Sequence, residues 1–204
     1  MKYRFSLVLV ISLVSILMLS LLVGCASSPQ GSSPSQLTIT DQMGRTVKLD
    51  KIPQRIVSLA PSNTEILFAI GLADRIAGVT DYCDYPPEAK QKPKIGGFST
   101  PNIESVIAAS PDLILATSIH EKTAIPQLEE RGLAVVALAP KTFDEVMAAI
   151  TLVGSITGKE KEAIALVDDM KQRIKAVMDR TSGLSEQQKL RTLYLVWHDP
   201  PMVA

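Results

Sequence analysis

The chain is poor in the residues that most often carry chemistry: it has two histidines, two cysteines and one tryptophan, and aromatic residues are only 4% of 204 positions. His120 and His198 are too few for a zinc or manganese site built from several imidazoles. No Gly-x-Ser-x-Gly elbow, Gly-x-Gly-x-x-Gly or Gly-x-x-x-x-Gly-Lys-Ser/Thr occurs, so hydrolase, dinucleotide and nucleotide-triphosphate readings have no anchor. His120-Glu121 opens like a zincin motif, but Ala124 stands where the second histidine belongs. No enzyme activity is therefore expected, and no cofactor or metal. Neither sign of charge is in excess, with 21 bases against 21 acids, and no basic cluster provides the phosphate attraction that nucleic-acid binding needs.

The zero net charge is a sum over unlike parts. Lys2 and Arg4 are the only charges in the first 24 residues, which leaves the rest of the chain at a formal −2, and one apolar end raises the mean hydropathy to +0.19. That end is a basic stretch followed by an apolar run, Phe5 to Val23, broken only by Ser6, Ser12, Ser15 and Ser20. Residues 1–24 read as a secretory signal; the alternative is an uncleaved helix, since the run could cross about 30 Å of hydrocarbon. Leu22-Val23-Gly24-Cys25 resembles the bacterial lipobox, which makes Cys25 the expected lipidation site. Cys83 then has no partner for a disulfide in this chain. Residues 25–36, rich in Ser, Pro and Gly, read as a flexible tether, and the protein as exported and lipid-anchored to the cell membrane, facing the periplasm or exterior.

Beyond the tether, Leu37 to Leu49 alternates around Met43-Gly44 as a β-hairpin does. Strand-like runs at Arg55–Ala60, Ile76–Thr80, Asp112–Thr117 and Ala134–Leu138 then alternate with helical segments after Pro61, Pro101, Thr123 and Phe143. Ser62 or Asn63 is the expected N-cap of the first helix. The rhythm predicts a parallel, Rossmann-like α/β sheet over residues 37–157, covered on both faces. Residues 158–182 hold one long amphipathic helix, with Ala163, Leu166, Val167, Met170, Ile174 and Val177 on one side. A further strand is expected at Tyr194–Trp197; it either joins the first sheet or begins, within residues 190–204, a second α/β lobe that is mostly missing.

Four motifs in order resemble a known family: Pro53 to Leu67, Asp81 to Ala89, Ile95-Gly96-Gly97-Phe98 before Asn102-Ile103-Glu104, and Ser110-Pro111-Asp112-Leu113-Ile114-Leu115. They resemble the cobalamin and ferric-siderophore substrate-binding proteins of bacterial ABC importers, and the Tyr82 to Pro87 segment is most like the cobalamin branch. The resemblance implies two α/β lobes joined by a long helix, a ligand held between them and delivery to a membrane permease. Aromatic and hydroxyl groups rather than arginines near the candidate loops favour a large neutral ring ligand, a cobalamin-like corrinoid, over a ferric siderophore or heme.

By motif position, Tyr82 and Phe98 are the aromatic ligand contacts, and Thr117 stands at a strand end where a relative has an aromatic. Ser62 and Asn63 lie just beyond another strand's carboxyl end, where α/β proteins bind ligands. Trp197 and His198 would face the ligand from the second lobe. Glu104 matches the first-lobe glutamate that docks onto permease arginines; it is equally a first-turn acid favoured by the helix dipole. Asp81, Cys83 and Asp84 could cluster on a metal, but Cys83 reads more simply as a small buried hydrophobe. A lipid-tethered scaffold without ligand is the rival of another class, and ligand titration separates it.

Overall fold

The computed structural model describes residues 36–193 in full and, beyond them, the strands Leu195–His198 and Pro201–Val203. The apolar run 5–23, Cys25 and the tether as far as residue 35 lie outside the described residues, as do the side chains of Trp197 and His198.

Strands β1 (Leu37–Thr40) and β2 (Thr46–Leu49) form the expected antiparallel hairpin, with Thr40 opposite Thr46. Its turn passes through Gly44 at φ +77°, a conformation a side chain would strain. β3 (Ile56–Ser58), β4 (Ile76–Val79), β5 (Leu113–Ala116) and β6 (Val135–Ala137) make a parallel sheet in the order β4-β3-β5-β6. Residues alternate between its two faces. Ile56, Leu113, Leu115 and Val136 join one apolar cluster, while Val57, Ile114, Ala116, Val135 and Ala137 join the other. Both faces are buried, which explains the unbroken apolar strands.

Helices α1 (Pro61–Ala69), α4 (Phe143–Thr157) and α5 (Glu160–Thr181) supply the first cluster through Leu67, Ile150, Val153, Ile156, Ala163 and Val167. Helices α2 (Ile103–Ala108) and α3 (Ala124–Glu129) supply the second through Val106, Ile125 and Leu128. α4 starts on a reciprocal capping box, Thr142 with Glu145, and stops at Gly158 in the left-handed conformation. α5 begins two residues later and lies tightly on α4: a Cβ at Gly154 would stand 2.4 Å from that of Ala163. At 22 residues α5 is the longest described helix, about 33 Å at 1.5 Å per residue. Only its first half is buried by the sheet lobe. Val177 and Met178 are exposed and, with Met170, Ile174, Arg173 and Phe143, line an open apolar groove. No described helix is long and apolar enough to cross a membrane.

One expectation is corrected. The N-cap of α1 is Ala60, not Ser62 or Asn63, because Pro61 occupies the first helical position, where its missing N–H costs nothing. Of the two alternatives for the strand after α5, β7 (Leu195–His198) does not join the parallel sheet among the described residues; it pairs antiparallel with β8 (Pro201–Val203).

Candidate functional site

In this strand order the connections leave the neighbouring strands β3 and β5 in opposite directions: the chain goes from β3 to β4 on one side and from β5 to β6 on the other. At such a switch point the loops leaving two neighbouring strands diverge and open a crevice at their carboxyl ends. An open cleft of about 1050 Å³ lies there. All four strands contribute loops to it: Ala60-Pro61-Ser62 after β3, Tyr82 after β4, Thr117-Ser118 after β5 and Leu138 to Lys141 after β6, joined by Phe98-Ser99. Of the predicted site residues the cleft gathers Ser62, Tyr82, Phe98 and Thr117. Tyr82 is 67% exposed, Phe98 and Thr117 are half-buried and Ser62 is exposed. Lys141 is the one charged side chain in the lining.

Asn63 is not in the cleft. It is 1% exposed, and its Nδ2 donates to the Ala116 carbonyl at 3.0 Å, fastening α1 to the end of β5. The neighbouring Thr64 packs beside Ser58 and Cys83, with its Oγ1 2.8 Å from the Ser58 hydroxyl and 3.2 Å from the Cys83 sulfur. Cys83 is a buried free thiol. Asp81 and Asp84 beside it are exposed, and no group of three metal-ligating side chains exists among the described residues. Tyr85, the second tyrosine of its motif, lines a separate groove of about 720 Å³ with Phe68, Glu65 and Glu88, which receives nothing from the loops after β5 and β6.

Sequence reasoning missed three supports of the cleft. His120 is fully buried behind Phe98. Its Nδ1 accepts the Thr117 N–H at 3.1 Å and its Nε2 lies 2.7 Å from the Phe98 carbonyl. A carbonyl can only accept, so the proton sits on Nε2 and the ring is neutral. Burial pushes the His120 pKa below the ordinary histidine value, outweighing the Phe98 carbonyl, which acts to raise it. Asp41 and Gln42, in the β1–β2 turn, hold the β6 wall. The Asp41 carboxylate accepts N–H groups from Met43, Arg45 and Ala137, and Arg45 closes on it at 2.7 Å. Gln42 accepts the Ala139 N–H at 3.0 Å and donates to the Glu145 carbonyl at 2.7 Å. The available signal was the fold itself: a hairpin turn that must cover a sheet end.

Glu104 sits in the first turn of α2, after Asn102, whose side chain accepts the Ser105 N–H at 2.9 Å. Its carboxylate is 80% exposed, with the Arg131 guanidinium 3.9 Å away, a pairing that leaves the oxygens open to another cation. Trp197 and His198 stand in β7, opposite Met202 and Pro201.

The same lobe recurs in known proteins. An uncharacterized ABC transporter substrate-binding lipoprotein of Bacillus subtilis is 37% identical over 171 residues, 80% of this chain and 53% of that protein. The crystal structure of a periplasmic vitamin B12 binding protein of Vibrio cholerae matches 74% of this chain and 58% of its own, with a TM-score of 0.64 and 28% identity. A periplasmic heme binding protein of Pseudomonas aeruginosa matches 70% of this chain and 52% of its own, with a TM-score of 0.65 and 27% identity. The chain spans about half the length of the curated relatives it matches. The family model described as periplasmic binding protein covers residues 56–204, from β3 to the last residue, and the chain belongs to that family.

Proposed function

We propose that this chain carries the first lobe of an ABC importer's substrate-binding lipoprotein, which captures a cobalamin-like corrinoid and delivers it to the membrane permease. The observation that carries this reading is the meeting of Tyr82 and Phe98 at the rim of a roomy, mostly apolar cleft at the switch point. A corrin ring and its methyl groups present broad apolar surface, and each aromatic side chain laid against it contributes through the area it covers, about 25 cal/mol per Å². Ser62 and Thr117 offer hydroxyls to the ring's polar fringe. The similarity to a vitamin B12 binding protein of Vibrio cholerae and to a substrate-binding lipoprotein of Bacillus subtilis supports the same reading.

The other parts follow from it. Residues 1–24 are the signal, Cys25 carries the lipid that holds the exported protein at the membrane, and residues up to 36 form the tether. Residues 37–157 are the first lobe and 158–182 the connecting helix, whose exposed apolar stripe around Ile174 and Val177 suits the seat of a second lobe begun by residues 190–204. Trp197 and His198 face the ligand from that side, and Glu104 meets an arginine of the permease.

Lys141 favours a second reading, in which the ligand carries an anionic group, as heme or a ferric siderophore does. Visible absorbance separates the two. Added to the 204-residue chain, cyanocobalamin shifts its own spectrum on binding if the first reading is right; a response to hemin or a ferric chelate with none to cyanocobalamin overturns it in favour of the second.

A further inference from the structure

Resting on the reading of the cleft above, we infer that His120 is the positioning residue of the ligand site: it contacts no ligand itself but fixes the Phe98 ring and the Thr117 turn as one wall. Three contacts converge on a single imidazole. Nε2 donates to the Phe98 carbonyl at 2.7 Å, Nδ1 accepts the Thr117 N–H at 3.1 Å, and the imidazole and the Phe98 ring stand edge to face at 84° with centroids 5.7 Å apart. Phe98 lies in a bend between Gly96 and Pro101, whose β-bridge and the Asp81 N–H on the Gly96 carbonyl hold the base of the loop but not Phe98 itself, and Thr117 is the first residue past β5. His120 alone among the described side chains hydrogen-bonds both segments.

The short helical turn Ser118–His120 makes this possible. It folds the imidazole back under its own N-cap, Thr117, so the side chain points inward instead of into the cleft. Both ring nitrogens are thereby committed inside the protein, and His120 is absent from the cleft lining although Thr117 and Ser118, just before it at the start of the turn, belong to it. Histidine suits the task because one planar ring supplies a donor, an acceptor and an aromatic edge in fixed relation. Ligand affinity then depends on His120 through Phe98, since an aromatic contributes its contact area in full only when it is held in the binding orientation.

The test is a double-mutant cycle read by visible absorbance, with cyanocobalamin titrated into the 204-residue chain and into His120→Leu, His120→Gln, Phe98→Ala and the Phe98→Ala/His120→Leu pair. His120→Leu weakens binding about tenfold, the scale of an unmet buried hydrogen bond. His120→Gln, whose Nε2 can still donate to the Phe98 carbonyl, stays within about threefold of wild type, and in the Phe98→Ala background the leucine adds no further loss. An equal loss from His120→Leu in both backgrounds, no loss at all, or a glutamine as weak as the leucine overturns the inference and leaves the cleft as the binding site. Wild type and Phe98→Ala binding alike, or neither binding, overturns the reading of the cleft and the inference with it. A nitrogen-15 spectrum of the wild-type imidazole near pH 7 needs no variant: the neutral Nε2–H tautomer supports the inference, and an Nδ1–H or charged ring overturns it.

Discussion

Replacing Asp41 by alanine tests how the hairpin holds the lobe together. The Asp41 side chain is fully buried, and its two oxygens collect the N–H groups of Met43, Arg45 and Ala137 together with two bonds from the Arg45 guanidinium at 2.7 and 3.0 Å. Ala137 is 96 residues away, at the end of β6, so this carboxylate joins the first hairpin to the sheet edge beneath Ala139 and Lys141 of the cleft. Alanine leaves a buried N–H unpaired and a guanidinium, only 22% exposed, without its main partner. Breaking a buried ion pair from one side costs about 3–5 kcal/mol. Against a total stability of roughly 5–15 kcal/mol, this is a large fraction. Urea unfolding of the 204-residue chain reads it as a lower midpoint at an unchanged slope. Glu129→Ala is the control: it removes the other partner of Arg45, a carboxylate 48% exposed, and should cost below about 1 kcal/mol. An Asp41→Ala loss below about 1 kcal/mol, or a loss from Glu129→Ala of the same size, refutes the argument.

Other outcomes follow from the same structure. The neutral, buried His120 binds fewer protons than it would unfolded, so its contribution to stability is fully present above the ordinary histidine value near 6.5 and is lost as pH falls below it; His120→Gln should flatten that slope in urea midpoints measured from about pH 7 to 5. Gly154→Ala forces a methyl against Ala163 and the Lys159 carbonyl, and thermal unfolding should show about 1–3 kcal/mol lost, whereas an unchanged melting temperature would mean that α5 can move away from α4 freely. Glu104→Lys should leave stability and ligand affinity alone and depress permease-coupled uptake in cells; uptake at the wild-type level counts against the docking role.

Much of the lobe was legible because its signals are local. Uninterrupted apolar strands alternating with capped helices specify a parallel sheet, and Thr142 with Glu145 three residues on mark the start of α4 at Phe143. Ser62 and Thr117 were readable as cleft residues because each follows a strand, and Tyr82 and Phe98 through the resemblance of their motifs to the family. Asn63 misled because asparagine is a good cap in isolation, whereas here Pro61 sets the helix start and the amide is spent on Ala116, 53 residues away. His120 escaped notice for the same reason: its neighbour Glu121 suggests a metal motif, while its actual partner Phe98 is 22 residues distant. Asp41 and Gln42 look like ordinary turn residues until the hairpin is laid across the ends of β6. In each case the missing information was a tertiary contact between segments whose local patterns are silent about one another.

The central claim, that the cleft at the β3/β5 switch point takes a large ring ligand between Tyr82 and Phe98, is tested most directly by amide chemical-shift mapping of the 204-residue chain titrated with cyanocobalamin. The account predicts saturable shifts that rise together at Ser62, Tyr82, Phe98, Thr117 and Ala139, on one binding curve. Shifts confined to the Glu65, Phe68 and Tyr85 groove, or none at saturating ligand, would contradict it.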